Sequence, residues 1–153
     1  MAHISFAQKA GRFLFLLVLV NAIGYIASEY MTQDTIIWYE ALPLSSLTPP
    51  RPAFTVVWSI LLLLQAISAF LVWGKASPRY FVLQLALNML WSFVFFYLRN
   101  PGIALITVLL FVWALAMNIT TFGRVRKLAG WLLAPTLLWA IFAIYLNLVI
   151  VIS

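Results

Sequence analysis

The chain has no cysteine and a single histidine, His3, in 153 residues. Disulfide frameworks and thiolate chemistry are therefore excluded, and cysteine usage says nothing about redox compartment. Acidic side chains are almost missing, with three Asp and Glu against nine Lys and Arg. No carboxylate pair, metal cluster or nucleophile triad can be assembled from the apolar stretches, so general acid–base catalysis is poorly supported. Charge of either sign is scarce. It amounts to 8% of residues, where a soluble domain carries about 25%.

What is present is apolar and aromatic. Hydrophobic residues make up 66% of the chain and aromatic residues 16%, with seven Trp. This composition defines an integral membrane protein, and the length suits one domain over residues 1–153. Five runs have the roughly 20 apolar residues that a spanning helix needs, at about 12–30, 52–73, 80–98, 101–122 and 131–152. The expected fold is all-α: a five-transmembrane-helix bundle with a long structured loop between helices one and two. Lys9 and Arg12 before an apolar run imitate a signal peptide. The run continues to about Ala27 without a clear small-x-small cleavage site, so it reads as a retained first helix.

The formal charge of +6 reflects helix-connecting loops rather than a nucleic-acid surface. Lys9, Arg12, Lys75, Arg79, Arg124, Arg126 and Lys127 fall on one side of a five-span topology. Arg51 and Arg99 fall on the other, with all three acids, Glu29, Asp34 and Glu40. This asymmetry predicts the N-terminus in the cytoplasm, and the long loop and C-terminus outside, in a bacterial inner membrane. No charge sits mid-span, which disfavours an ion-coupled pump. Met89 and Met117 read as packing rather than as haem ligands.

The longest stretch that cannot be an ordinary spanning helix is Trp38 to Trp58. It holds four of the seven prolines, Pro43, Pro49, Pro50 and Pro52, and reads as a lid that feeds into the second helix. The loops Gly74–Arg79, Arg99–Asn100 and Arg124–Gly130 are short reversals. Within the spans, Gln84, Asn88, Trp91 and Phe95 share one helical face. Trp58, Leu62, Gln65 and Ala69 form a second stripe, and Trp139, Phe142, Ala143 and Leu146 a third. Amides in hydrocarbon need partners, so Gln65, Gln84, Asn88 and Asn147 should face inward. They could serve interhelical hydrogen bonding alone. Together with inward Trp58, Trp91 and Trp139 they suit a pocket for a flat, mostly apolar molecule. Trp38, Trp73 and Trp131 lie near span ends as interfacial anchors, and Trp113 reads as packing or lipid-facing.

These same residues carry a resemblance to the TspO/MBR family, the tryptophan-rich sensory proteins whose animal members are the translocator protein or peripheral benzodiazepine receptor. The pattern W-Y-x-x-L then P-P appears as Trp38-Tyr39, Leu42 and Pro49-Pro50. The third span carries Leu85-Ala86-Leu87-Asn88 with Trp91 and Phe95-Phe96. The fifth carries Trp131, Pro135, Trp139, Phe142-Ala143 and Leu146-Asn147. The sequence departs from the family pattern at Leu44, Ser45, Ser46 and Leu47 in the lid, at Leu62, and at Thr136. The resemblance implies a homodimeric bundle that binds protoporphyrin-like tetrapyrroles and benzodiazepine-site drugs, with porphyrin as ligand and no obligatory cofactor or metal. It implies a pocket of Tyr39, Phe54, Trp58, Asn88, Trp91, Trp139 and Ala143 under a lid of Trp38, Pro49 and Pro50. Some bacterial members promote light-dependent porphyrin breakdown, which makes Trp58 and Trp139 the candidate reactive side chains. The expected function is a receptor or sensor for such ligands. Photo-oxidative porphyrin degradation and transport of tetrapyrrole or lipid-like molecules are the alternatives.

Overall fold

A computed structural model describes residues 5–153; His3 lies outside them. All regular structure among the described residues is helical. The elements are α1 (Phe6–Glu29), α2 (Gln33–Glu40), α3 (Arg51–Leu71), α4 (Arg79–Ser92) with a π-helical continuation (Phe93–Tyr97), α5 (Pro101–Val125) and α6 (Lys127–Ile152). Five of these, α1, α3, α4 with its π segment, α5 and α6, are long and apolar enough to cross a membrane. The protein is a multi-pass integral membrane protein built as a five-span bundle.

Local sequence explains most helix boundaries. α1 starts six residues earlier than the hydrophobic run suggests, because Ser5 and Gln8 form a capping box: Gln8 N donates to Ser5 Oγ at 3.2 Å and Ser5 N to Gln8 Oε1 at 2.9 Å. Such reciprocal bonds satisfy two otherwise orphaned amides. Pro101 opens α5 behind Asn100, whose side chain accepts from Ile103 N at 3.0 Å. Pro fits the first turn, where its missing N–H costs nothing. The expected reversal over Arg124–Gly130 is not a loop. α5 runs to Val125, α6 begins at Lys127, and Arg126 alone is extended between them. Glycine permits this closeness. A Cβ on Gly130 would lie 3.0 Å from Ile119 O and 3.1 Å from Gly123 Cα. The earlier start of α6 also moves Pro135 more than two turns into that helix, rather than into its first turn or two.

The spans close into a ring in the order α1, α3, α6, α5, α4 and back to α1. The core at one end is Leu16, Val20, Ala66, Val72, Phe81, Phe111, Leu115, Phe122 and Leu133. A second apolar cluster sits at the lid end, where Val94, Phe95 and Ala104 pack under Trp38, Tyr39 and Leu42. Ser68 Oγ donates to Ala129 O at 2.6 Å, tying α3 to α6. The outer faces carry exposed Leu14, Val18, Ile60, Leu109, Trp113 and Ile141, as lipid contact requires. Trp131 is exposed beside the basic end. There Arg12 lies over the Trp73 ring at 5.7 Å and Arg79 over Tyr80 at 4.8 Å.

The stretch 31–50 is partly helical. Thr32 caps α2 by accepting from Thr35 N at 3.2 Å. α2 lies across the π segment: Trp38 and Tyr39 meet Phe95 edge-on at 5.7 and 6.3 Å, and Tyr39 meets Phe96 at 6.2 Å. The π turn explains how neighbours Phe95 and Phe96 both serve this surface. Its wider turn, closed by Leu98 N donating to Phe93 O at 3.0 Å, redirects side chains that an α-helix would set about 100° apart.

Candidate functional site: an aromatic cavity under the lid

A cavity of about 900 Å³ lies between α1, α3, α4 and α6 beneath α2. Small-molecule sites fall in the range of about 300–1,000 Å³. Tyr39 comes down from the lid, and Phe54, Trp58 and Leu62 form the α3 wall. Asn88 and Trp91 on α4 continue into Phe95 and Phe96, and Ala143, Leu146 and Ile150 close the α6 side. Lining residues that are also exposed occur only on α1 and α3: Asn21, Tyr25, Ser28, Arg51, Pro52, Thr55 and Ser59. The mouth therefore lies between these two helices. Three of its polar side chains are satisfied locally. Asn21 donates to Leu17 O at 2.8 Å, Ser28 to Tyr25 O at 2.6 Å and Ser59 to Thr55 O at 2.8 Å. Each makes a hydrogen bond that a lipid neighbour could not provide.

The expected pocket residues separate into two groups. Tyr39, Phe54, Trp58, Asn88, Trp91 and Ala143 line the cavity. Trp139 does not. Its indole packs edge-on against Phe54 at 5.6 Å and beside Phe142 at 5.6 Å, so it reaches the cavity through Phe54. Of the expected lid residues, Trp38 stands behind Phe95. Pro49 and Pro50 end the lid without lining the cavity, and Pro50 is the extended residue that caps α3.

The inward amides divide the same way. Gln84 Nε2 donates to Gln65 Oε1 at 2.9 Å below the cavity. Asn147 accepts from Trp91 Nε1 at 3.3 Å and donates to Pro101 O at 2.8 Å, joining three spans. Asn88 makes no hydrogen bond to another described residue, although it is only 6% exposed and lines the cavity. It is the buried amide on this wall still free to bond a ligand. Tyr39, outside the spans, has its phenol pushed up from the ordinary value by burial, so it stays neutral beside the cavity.

Two features of the site are absent from the pattern of apolar spans. α1 contributes Asn21, Gly24 and Ser28, whose three- and four-residue spacing in an otherwise apolar run was the available signal. Gly24 faces inward: a Cβ there would lie 2.9 Å from Leu62 Cδ1. The second feature is the fastening of the lid. Glu40 and Arg51 pair at 3.2 Å across its two ends, and Ser45 and Tyr145 share a hydrogen bond of 3.0 Å.

The sequence that builds this bundle has relatives among known proteins. The profile of the TspO/MBR family matches residues 15–152, and the chain belongs to that family. It is 31% identical over 137 residues to the tryptophan-rich protein TspO of Chlorobaculum tepidum, covering 84% of this chain and 87% of that one. It is 33% identical over 138 residues to the protein of the same name from Archaeoglobus fulgidus, covering 86% and 89%. The human translocator protein is 30% identical over 132 residues, covering 80% of this chain and 78% of its own. Membership supports a membrane sensor or translocator role.

Proposed function

We propose that this protein is a receptor-type membrane protein that binds protoporphyrin-like tetrapyrroles, and other flat apolar molecules, in the cavity under α2. One observation carries the reading: an aromatic-walled cavity of about 900 Å³ contains a buried amide, Asn88, that makes no hydrogen bond to another described residue. Flat apolar faces would stack on Trp58, Trp91 and Phe95. Asn88 would bond one polar substituent and so fix orientation. The mouth between α1 and α3 opens on the flank of the bundle, which suits a ligand already dissolved in lipid. Titration of protoporphyrin into the protein in nanodiscs should quench Trp fluorescence saturably, with micromolar or tighter affinity. Quenching that rises linearly without saturation would reject the assignment.

A second reading is light- and oxygen-dependent porphyrin breakdown. It is favoured by the placement of two indoles, Trp58 and Trp91, directly on the cavity. Illuminated complex should consume porphyrin faster than free porphyrin in the same detergent, and Trp58→Phe should slow that loss while binding persists. Equal rates with and without protein would leave binding as the function. The same proposal places the lid and C-terminus outside a bacterial inner membrane, with two copies forming a homodimer. Because the chain has no native cysteine, single cysteines at Gly11 and at Leu47 would report sidedness cleanly. Labelling of position 11 from the outside would overturn it.

A further inference from the structure

Gln65 on α3, Gln84 on α4, Asn118 on α5 and Thr136 on α6 are fully buried polar side chains at similar depth. Contacts fix their relative heights. Gln84 bonds Gln65 directly. Phe81 and Phe122 meet at 5.8 Å, which brings Gln84 and Asn118, each about a turn away, to one level. Gly130 nestles against the Ile119–Gly123 turn, so Thr136 lies within about one turn of Asn118 along the bundle axis. None of the four lines the ligand cavity, whereas Leu62 and Asn88, a turn nearer the lid, do.

Five polar atoms of this layer have no partner among the described residues: Gln65 Nε2, Gln84 Oε1, Asn118 Nδ2, Asn118 Oδ1 and Thr136 Oγ1. A membrane interior strongly disfavours such atoms, because lipid supplies no substitute bond. Their chemistry is complementary. Two amide nitrogens donate, two amide oxygens accept, and the threonine hydroxyl does either. The cluster is formally neutral and has no carboxylate to balance a cation. A water molecule offers two donors and two acceptors, and buried waters characteristically make about three bonds to otherwise unsatisfied groups.

We propose that Gln65, Gln84, Asn118 and Thr136 form an internal hydration site, separate from the ligand cavity, that holds ordered water between α3, α4, α5 and α6. The water accepts from Gln65 Nε2 or Asn118 Nδ2 and donates to Gln84 Oε1 and Asn118 Oδ1. Thr136 completes the shell. Water thereby bridges the free ends of the Gln65–Gln84 pair and ties α5 and α6 to it, fixing the mutual height of the four spans beneath the cavity floor.

The test is a structure of the full chain in lipid at about 2 Å or better, a resolution at which ordered water is seen, with crystals grown in sodium and in rubidium salts. The expected result is an oxygen density within hydrogen-bond distance of Gln84 and Asn118, with no rubidium anomalous signal. Amides rotated into direct contact, with no density between them, would overturn the proposal. So would a rubidium peak, which would make the site a cation site. As a check in lipid bilayers, Thr136→Val should retain water cross-peaks to the Gln and Asn side-chain amides in solid-state NMR. Asn118→Leu should lose those to Gln84. Cross-peaks absent from the unmodified protein would also refute the hydration site.

Discussion

Ser45 and Tyr145 stand a hundred positions apart and meet hydroxyl to hydroxyl at 3.0 Å. The contact fastens the irregular half of the lid to α6. It falls within Leu44–Leu47, in the middle of the irregular stretch between α2 and α3. Ser45 Oγ also accepts from Leu47 N at 3.1 Å, which orders the turn around the clasp. Leu47 itself is 63% exposed and points its side chain away from the closure.

Breaking the clasp should loosen the lid without unfolding the bundle. A neutral hydrogen bond contributes about 1 kcal/mol, equivalent to roughly fivefold in a rate or equilibrium constant. Tyr145→Phe should therefore raise the porphyrin off-rate about fivefold in stopped-flow fluorescence, with little change in thermal midpoint. Ser45→Ala also removes the bond from Leu47 N and should raise the off-rate at least as much, and adding Tyr145→Phe to it should change almost nothing, because the clasp is already gone. Glu40→Gln should matter less, since exposed ion pairs contribute about 0–1 kcal/mol.

Asn88→Leu separates orientation from fold. No side-chain hydrogen bond to another described residue is lost, so the melting temperature should hold or rise. Affinity for a porphyrin bearing carboxyl groups should fall about tenfold, in line with the roughly 1.5 kcal/mol or more of a bond to a charged group. An uncharged, purely apolar porphyrin should bind the variant as well as it binds the unmodified protein. Equal losses for both ligands would remove Asn88 from the orienting role.

Asn147 should behave in the opposite way. Its amide satisfies Trp91 Nε1 and Pro101 O at once, and the residue is 2% exposed. Asn147→Leu leaves the Trp91 indole N–H unpaired, at a cost of about 1–3 kcal/mol, and removes the side-chain bond to Pro101 O. The expected outcome is a marked loss of thermal stability, read by helical circular dichroism in detergent. A ligand effect should follow only because Trp91 loses its anchor.

Glycine substitutions give a matched control. Gly130→Ala forces a Cβ to 3.0 Å from Ile119 O and 3.1 Å from Gly123 Cα, both backbone atoms that cannot swing aside. Overpacking of this kind costs about 1–3 kcal/mol, so the α5–α6 hairpin should open and the midpoint fall. Gly11→Ala meets nothing within 4 Å and should be neutral or slightly stabilising, because Ala is the better helix former. Equal stability of the two variants would refute the tight hairpin.

The five spans were legible because hydrocarbon imposes one rule on every residue: long apolar runs must be helices that satisfy their own backbone. Helical spacing then put Trp58, Asn88, Trp91 and Ala143 on the correct faces, since each of those faces is settled within a single helix. Ser5 and Gln8 have the chemistry of a capping box, but they precede the apolar run and carry no hydrophobic signal of their own. Trp139 shares a helical stripe with Ala143 and Leu146, which line the cavity, yet stands behind Phe54. Which members of a stripe reach the cavity depends on what the neighbouring helix inserts, and α3 inserts Phe54.

The sequence by itself determined that the protein spans the membrane with five helices, carries a proline-rich lid, and turns aromatic and amide faces inward. Composition and period suffice for this, because both report on the chain's relation to lipid. The tertiary structure alone decided that Asn147 is engaged while Asn88 is free, that α1 supplies one side of the cavity mouth, and that Ser45 reaches Tyr145. Those outcomes depend on the relative heights and rotations of separate helices. Height and rotation are set by close packing, such as Gly130 against Gly123 and Phe54 against Trp139, and such contacts join residues whose separation along the chain leaves no periodic trace.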